Sequence, residues 1–528
     1  MRRLWIALIL SIIFPALAVA QTATRLSWET FAKDPKRVAA FRKAVAAMKS
    51  RNTATKTTAA YRTSWEYWGN MHGYFGTTSP DGTIEAYIQE MKDEGIWDPS
   101  YAPYFAGITD QTPPDNIART VWAQCQHGTP WFYAWHRFYL YYFEKVLQGA
   151  AGDPTLRLPY WDYDNPAQLK MPVEFTTPTY KNDAGQMVPN PLFEPRRAPG
   201  WAAPSPNSLS ASSTNIANAL KLTSLLDTVK NGRPVRGYQS TIENTPHGYV
   251  HCAVQDCPVT VMGAVPYSSN DPIFWLHHAN IDRTWDCWTS IPDHLNPTST
   301  TFNNKSFSFV NGTGALVTNQ VKQLFSGTLI DYKYEQSTNC GQPPALHPPL
   351  AAATPMTADK VKSAKAKLAT PVTLGKTKSV AINAKTVRAR VAIPKTVGQP
   401  HDFALRAEAQ VPVTTELVLH GIHFHAHPGS MFNVFLERKD DPSKRVLVGT
   451  VSFFVSLRGA HAAHGSSDQT FDVTEALHTL AAANTGLEEL NVAFEATTGR
   501  NDAPTAVHFN AKSQLVVDEV SLQVKNKE

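Results

Sequence analysis

The apolar period of this 528-residue chain changes once, and that change limits the folds open to it. Between residues 27 and 160, apolar and aromatic side chains recur at spacings of three and four. AAYRTSWEYWGNMHGYF (59–75) and HRFYLYYFEKVL (136–147) show this best, and the spacing predicts helices with a buried face. From about residue 379 apolar and polar residues alternate instead. SVAINAKTVRARVAI, TELVLHGIHF, MFNVFLERK, RVLVGTVSFFVS and QLVVDEVSLQV, with turns between them, predict an antiparallel β-sandwich. One core cannot serve both periods, and 528 residues exceed what a single core supports. Residues 171–235, rich in Pro, Asn, Ser and Gly, read as long loops around one short helix near 214–230. The expected order is therefore a mainly α domain over 21–340, a linker over 341–378 and a β-sandwich over 379–528. The linker assignment rests on its Pro, Ala and Lys content and its lack of an apolar face.

The first twenty residues, MRRLWIALILSIIFPALAVA, have two arginines, a short apolar run and an Ala-Val-Ala end. They read as a secretory signal peptide over 1–20, too short in its apolar run for a membrane span. Export is expected, to the periplasm or outside the cell, with no membrane anchor. An exported chain tends to pair its cysteines, and five (Cys125, Cys252, Cys257, Cys287, Cys340) leave one over. Net charge is +5 with no dense basic face, which argues against a nucleic-acid partner.

Histidine placement then narrows the chemistry. DPIFWLHHANIDRTWDCW (271–288) sets His277 and His278 inside an apolar helix. A single buried histidine is usually an ordinary packed residue. Here others accompany it. In IENTPHGYVH (242–251), His247 and His251 are four apart and share a helix face. In CQHGTPWFYAWHRFYLYYFE (125–144), His127 falls on a loop and His136 near a helix start, and NMHGYFG places His72 at a helix end. Two trios emerge: His72, His127 and His136, then His247, His251 and His278. No carboxylate is interleaved as a likely ligand, and there is no HExxH helix and no thiolate cluster. Six neutral imidazoles suit copper or zinc rather than magnesium or calcium.

HGTPWFYAWHRFYLYYFE resembles the first copper signature of the type 3 copper proteins, that is tyrosinases, catechol oxidases and molluscan haemocyanins. DPIFWLHHANID resembles the second, with His278 in the ligand position. STIENTPHGYVH, VMGAVPYSSNDPIFWLHH, LPYWDYD and the Tyr332-Lys333-Tyr334 triplet extend the likeness over residues 60–335. Tyr133 departs from the aliphatic, Phe or Thr usual at its position. The resemblance implies a four-helix bundle with long loops around two copper ions, with O2 as co-substrate. His72, His127 and His136 would hold copper A; His247, His251 and His278 would hold copper B. His277 becomes a packed neighbour, because adjacent helical side chains diverge. Asp282, Arg283 and Arg137 become structural, with Arg137 reaching the Tyr332–Tyr334 segment.

The same likeness gives roles to further residues. Cys125, two before His127, resembles the cysteine that forms a thioether to a copper A histidine. That would leave Cys252, Cys257, Cys287 and Cys340 for two disulfides of unread connectivity. Glu243 matches the carboxylate that orients a water near copper B. Gly248 stands where strong monophenol hydroxylases often have Asn, Val265 occupies the gate position over copper B, and Cys252 follows His251 at a position that tunes activity. The sandwich resembles a capping domain that inserts a side chain over the coppers, with Phe424, Met431 and Phe432 as candidates and a latent enzyme as the consequence. His420, His423, His425 and His427 are either copper-loading ligands or solvent-facing strand residues; a copper-delivery partner fits the first reading. The implied activity is oxidation of small phenols or o-diphenols to o-quinones. The alternative is haemocyanin-like reversible O2 binding. Oligomeric state has no signature in the sequence.

Overall fold

The computed structural model describes residues 23–204, 207–230, 233–327, 329–335, 371–392, 413–454, 457, 467–481, 489–500 and 507–526. The expected signal peptide, most of the linker segment and Cys340 lie outside these.

Several helices of the first domain begin where the sequence supplies a cap. In α1 (Pro35–Ser50) the Asp34 carboxylate accepts from the Lys36 N–H, and in α2 (Trp65–His72) the Ser64 hydroxyl accepts from the Tyr67 N–H. The 20-residue α3 (Phe132–Ala151) ends on Gly152, whose φ of 69° lets the chain leave in the left-handed region. The short α4 (Tyr249–Val254) follows a turn that departs from helical geometry at Thr245. In α5 (Pro272–Thr289) Asp271 caps the first turn and Pro272 starts it. Aromatic rings fill the space between them: Trp275 stacks on Phe143, and Trp65, Trp68 and Tyr139 pack around both. Residues 214–230 do not form the expected helix. A turn of 3-10 helix at Ala219–Lys221 and a short strand at Thr228–Lys230 replace it, because Asn215 bonds the Ala217 N–H with its own side chain and competes with helical bonding.

A buried ionic web ties the ends of this domain together. Strand β1 (Ala23–Arg25) pairs in parallel with β2 (Tyr332–Tyr334). Asp282 on α5 accepts from Arg137 Nε at 2.6 Å and from the hydroxyls of Tyr332 and Tyr334 at 2.8 and 2.7 Å. Arg25 donates to Glu144 and Tyr334. Arg283 turns the other way, onto Asp164 at 2.5 Å. Asp282 and Arg283 are therefore not a surface pair; both are buried, and each has its own partners.

The second domain is the expected sandwich. One sheet runs β4 (Val387–Ala392), β9 (Glu489–Thr497), β6 (Met431–Arg438), β7 (Arg445–Val451). The other runs β8 (Ser467–Asp472), β5 (Val413–His423), β10 (Val516–Asn526), β3 (Val372–Ala381), and all pairings are antiparallel. Alternate residues such as Leu417, Leu419, Val434, Leu436, Val520 and Leu522 meet between the sheets. The boundary at 379 is corrected: β3 starts at Val372, within the segment read as linker. Its lysines sit on the exposed face of an edge strand, where they block edge-to-edge pairing, and such a strand has the composition of a linker.

The two domains dock directly. Tyr249 of α4 donates to the Gly499 carbonyl, Ser452 donates to the Asn244 carbonyl, Ser213 and Thr450 share a hydrogen bond, and Lys221 pairs with Asp472. Among the described residues no helix is long and apolar enough to cross a membrane.

Candidate dicopper site

The six histidines singled out by spacing converge. Within the first trio the rings lie 5.3 Å (His72–His127), 5.8 Å (His72–His136) and 5.4 Å (His127–His136) apart. Within the second they lie 4.7 Å (His247–His251), 5.1 Å (His247–His278) and 5.4 Å (His251–His278) apart. The trios also face each other, with His136 stacked on His278 at 4.6 Å and His127 at 5.5 Å from His247. His72 ends α2, His136 lies one turn into α3, His251 sits in α4 and His278 in α5; His127 comes from the loop before α3 and His247 from the kinked helical turn that leads into α4.

Four of these rings are oriented by the backbone. His72 Nδ1 donates to the Val265 carbonyl at 3.0 Å, His136 to Phe132 at 2.7 Å, His247 to Glu243 at 2.9 Å and His251 to Met262 at 2.7 Å. With Nδ1 carrying the proton, each Nε2 keeps a bare lone pair directed into the cluster. His251 Nε2 and His278 Nε2 are 3.2 Å apart, the separation of two donors on one metal ion. Burial and the neighbouring imidazoles push His136, His251 and His278 well below the usual histidine range, and burial pushes His247 to about 3, so all are neutral bases near pH 7. Among the described residues, the metal-capable groups are His247, His251, His277 and His278; His72, His136 and His278; and His72, Cys125 and His127. Paired imidazole trios with buried lone pairs fit two copper ions.

Around them stand the other residues named from sequence. Cys125 is buried, with Sγ 3.6 Å from His127 Nδ1. Glu243 accepts from the Gly128 N–H at 2.5 Å, and burial raises its carboxyl to about 8. Val265 is buried, and its carbonyl orients His72. Tyr133 points away from the histidines, onto Tyr238 and Trp285, with its hydroxyl on Thr284. Cys252 forms a disulfide with Cys257, and Cys287 is disulfide-bonded.

The side chain over the site was not foreseen. Phe454, just beyond β7, stacks on His251 at 3.8 Å and 10°, and stands edge-on to His247 at 5.4 Å and His127 at 5.8 Å. It covers both trios. None of the three candidates does this. Phe432 lies in the sandwich core, Phe424 packs on Phe453, and Met431 packs beside the Tyr249 ring at the domain junction. The signal was the Phe453-Phe454 pair at a strand end. Successive strand residues face opposite ways, so one of two adjacent phenylalanines must leave the sandwich core. At Gly248 the cap approaches closely: a Cβ there would lie 2.8 Å from Ser452 Oγ and 3.2 Å from Phe454 Cβ. The histidines of 420–427 form no metal-capable group among the described residues. His420 bonds Asp468, His423 bonds the Gly421 carbonyl, and His427 is buried on the Phe453 carbonyl.

A profile described as the common central domain of tyrosinase matches residues 62–291, the stretch that carries all six histidines. That stretch is a tyrosinase-type central domain. A tyrosinase of Hahella sp. (strain CCB-MM4) is 29% identical over 314 residues, 56% of this chain and 59% of that protein. A chloroplastic polyphenol oxidase of Malus domestica is 28% identical over 234 residues, 40% of this chain and 38% of that protein. These alignments span less than two thirds of the relatives' own lengths. Latent apple tyrosinase superposes with a TM-score of 0.52 over 97% of this chain and 99% of its own, at 20% identity. Latent aurone synthase from its natural source gives 0.54 over 96% and 91%, at 18% identity. Both structures share the tyrosinase fold together with this chain's second domain.

Proposed function

We propose that the protein is a latent dicopper oxidase that uses O2 to convert phenols and o-diphenols to o-quinones, with Phe454 of its own cap excluding substrate. The observation that carries this reading is the convergence of His72, His127, His136, His247, His251 and His278, with four Nδ1–H groups tied to carbonyls and the Nε2 atoms turned inward. Copper A would sit on the first three and copper B on the last three. When bound, the pair supplies two-electron chemistry with O2.

The remaining work falls to this chain. Glu243 would accept the phenol proton at its carboxylate, directly or through a water. Burial raises its pKa in the metal-free protein, and copper charge nearby would draw it back down, leaving a base ready at neutral pH. Gly248 and Val265 would set the room beside copper B. The Cys125 Sγ would join the His127 ring carbon with loss of two hydrogens to O2, fixing that imidazole; intact mass reads this directly. Residues 1–20 would direct export.

The test is oxygen uptake with tyrosine and with a catechol, comparing the full chain with Phe454→Ala. Catechol turnover should rise at least about ten-fold, the factor that ~1.4 kcal/mol of lost occlusion gives. A copper-loaded Phe454→Ala protein that binds O2 yet stays inert to catechol would favour a haemocyanin-like carrier instead.

A further inference from the structure

His277 is a fourth imidazole among the copper B histidines, and the proposed chemistry has no use for it. It is fully buried; its ring lies 4.8 Å from His251 and 5.0 Å from His278, and stacks at 17° on His247 at 5.5 Å. One of its nitrogens lies within 4.8 Å of the candidate ligand atoms of those three residues. Its Nε2 is buried without a hydrogen-bond partner. A centre that must keep an open position for its reactants cannot leave a fourth bare nitrogen within reach, because a metal ion would take it. What matters is which nitrogen carries the proton.

A hydrogen-bond chain decides that. Arg283 Nε donates to Asn280 Oδ1 at 2.8 Å, and this fixes which way the amide faces. The Asn280 NH2 group is then directed to Asp164 at 3.4 Å and to the Tyr163 oxygen. With the Asn280 amide turned towards that oxygen, the Tyr163 hydroxyl finds its acceptor in His277 Nδ1, 2.8 Å away. A neutral imidazole that accepts at Nδ1 bears its hydrogen on Nε2. This is the reverse of His72, His136, His247 and His251, whose Nδ1–H groups are spent on carbonyls.

We infer that the Arg283–Asn280–Tyr163 chain holds His277 as its Nε2–H tautomer, and so keeps a fourth nitrogen from closing copper B. Tyr163 is thus a positioning residue that acts through His277. The inference rests on the dicopper reading above.

Tyr163→Phe keeps the ring and removes the hydroxyl. The His277 proton is then free to move to Nδ1, and Nε2 becomes a donor. Two readouts apply to the full chain: copper retention against a Cu(I) chelator, and imidazoles per copper by X-ray absorption. Tyr163→Phe should retain copper about ten-fold more tightly and gain an imidazole on one of its two coppers. Adding His277→Gln should return both readouts to parent values, and His277→Gln alone should leave them there. Retention in Tyr163→Phe equal to or below the parent's overturns the inference, as does a shift that survives in the double variant. A parent protein that holds fewer than two copper ions sinks both this inference and the dicopper reading, whereas the first two results sink this one alone.

Discussion

At the scale of single residues, the site depends on groups chosen for what they lack. Gly248 has no side chain where the cap meets the copper B turn. Gly248→Asn in the full chain should push Ser452 and Phe454 outward and raise basal catechol turnover, read as oxygen uptake. A variant as latent as the parent would mean that the cap seats without needing the bare position. Glu243→Gln in the Phe454→Ala background keeps the shape and removes the base. Monophenol kcat/KM should fall about 100-fold, with catechols much less affected; equal losses on both substrates would make Glu243 a structural residue. Asp282 carries a different burden. Asp282→Ala leaves the Arg137 guanidinium without its carboxylate and takes the acceptor from two tyrosine hydroxyls. A loss of about 3–5 kcal/mol is expected in chemical unfolding, and a loss under about 1 kcal/mol would show the web to be dispensable. His247, His251 and His278 were legible in the sequence because HxxxH and the HH helix are local patterns, and His72, His127 and His136 through the likeness of their segments to a copper signature. The tautomer of His277 was not, because it is set by Tyr163 and Asn280, the former 114 residues away along the chain.

At the scale of elements, the segment linking β6, β7 and the plug turns on His427. Its Nε2 donates to the Phe453 carbonyl at 2.8 Å, its Nδ1 accepts from the Gly429 N–H at 3.0 Å, and its own N–H donates to Glu94 of the catalytic domain. Burial pushes it to about 4, against about 6.5 for a free histidine. The depressed value fixes the sign. Between these limits the unfolded ring binds a proton that the folded ring refuses, so the stability His427 contributes is whole above about pH 6.5 and lost as pH falls towards about 4. The difference amounts to about 3 kcal/mol at most. Protonation also sets a donor against the Gly429 N–H. The ratio of parent to Phe454→Ala turnover should therefore rise as pH falls through this window, and His427→Asn should flatten it; a ratio independent of pH in the parent would contradict this. Strand periodicity located β5, β6, β7 and β10 in the sequence, but it read VSFFVS as continuous strand. β7 stops at Val451, and that early stop frees Phe454 to point at the histidines. Strand β3 was hidden for the opposite reason, since its exposed lysines have the composition of a linker.

For the whole molecule, one chain holds both a reactive centre and its cover. The domains meet through Tyr249–Gly499, Ser452–Asn244, Lys221–Asp472 and Phe454, so on the proposed reading latency and docking would be one property. The change of apolar period foretold two domains, but their mutual orientation depends on contacts between residues about 250 apart, which no local pattern encodes. All of this rests on two metal positions, each served by three imidazoles. Diffraction data collected on either side of the copper absorption edge, from crystals of the copper-loaded full chain, test it most directly. The account predicts two anomalous peaks, one bounded by His72, His127 and His136 and the other by His247, His251 and His278, with His277 outside bonding distance. A single peak, or a peak bonded to His277 in the parent protein, would contradict it.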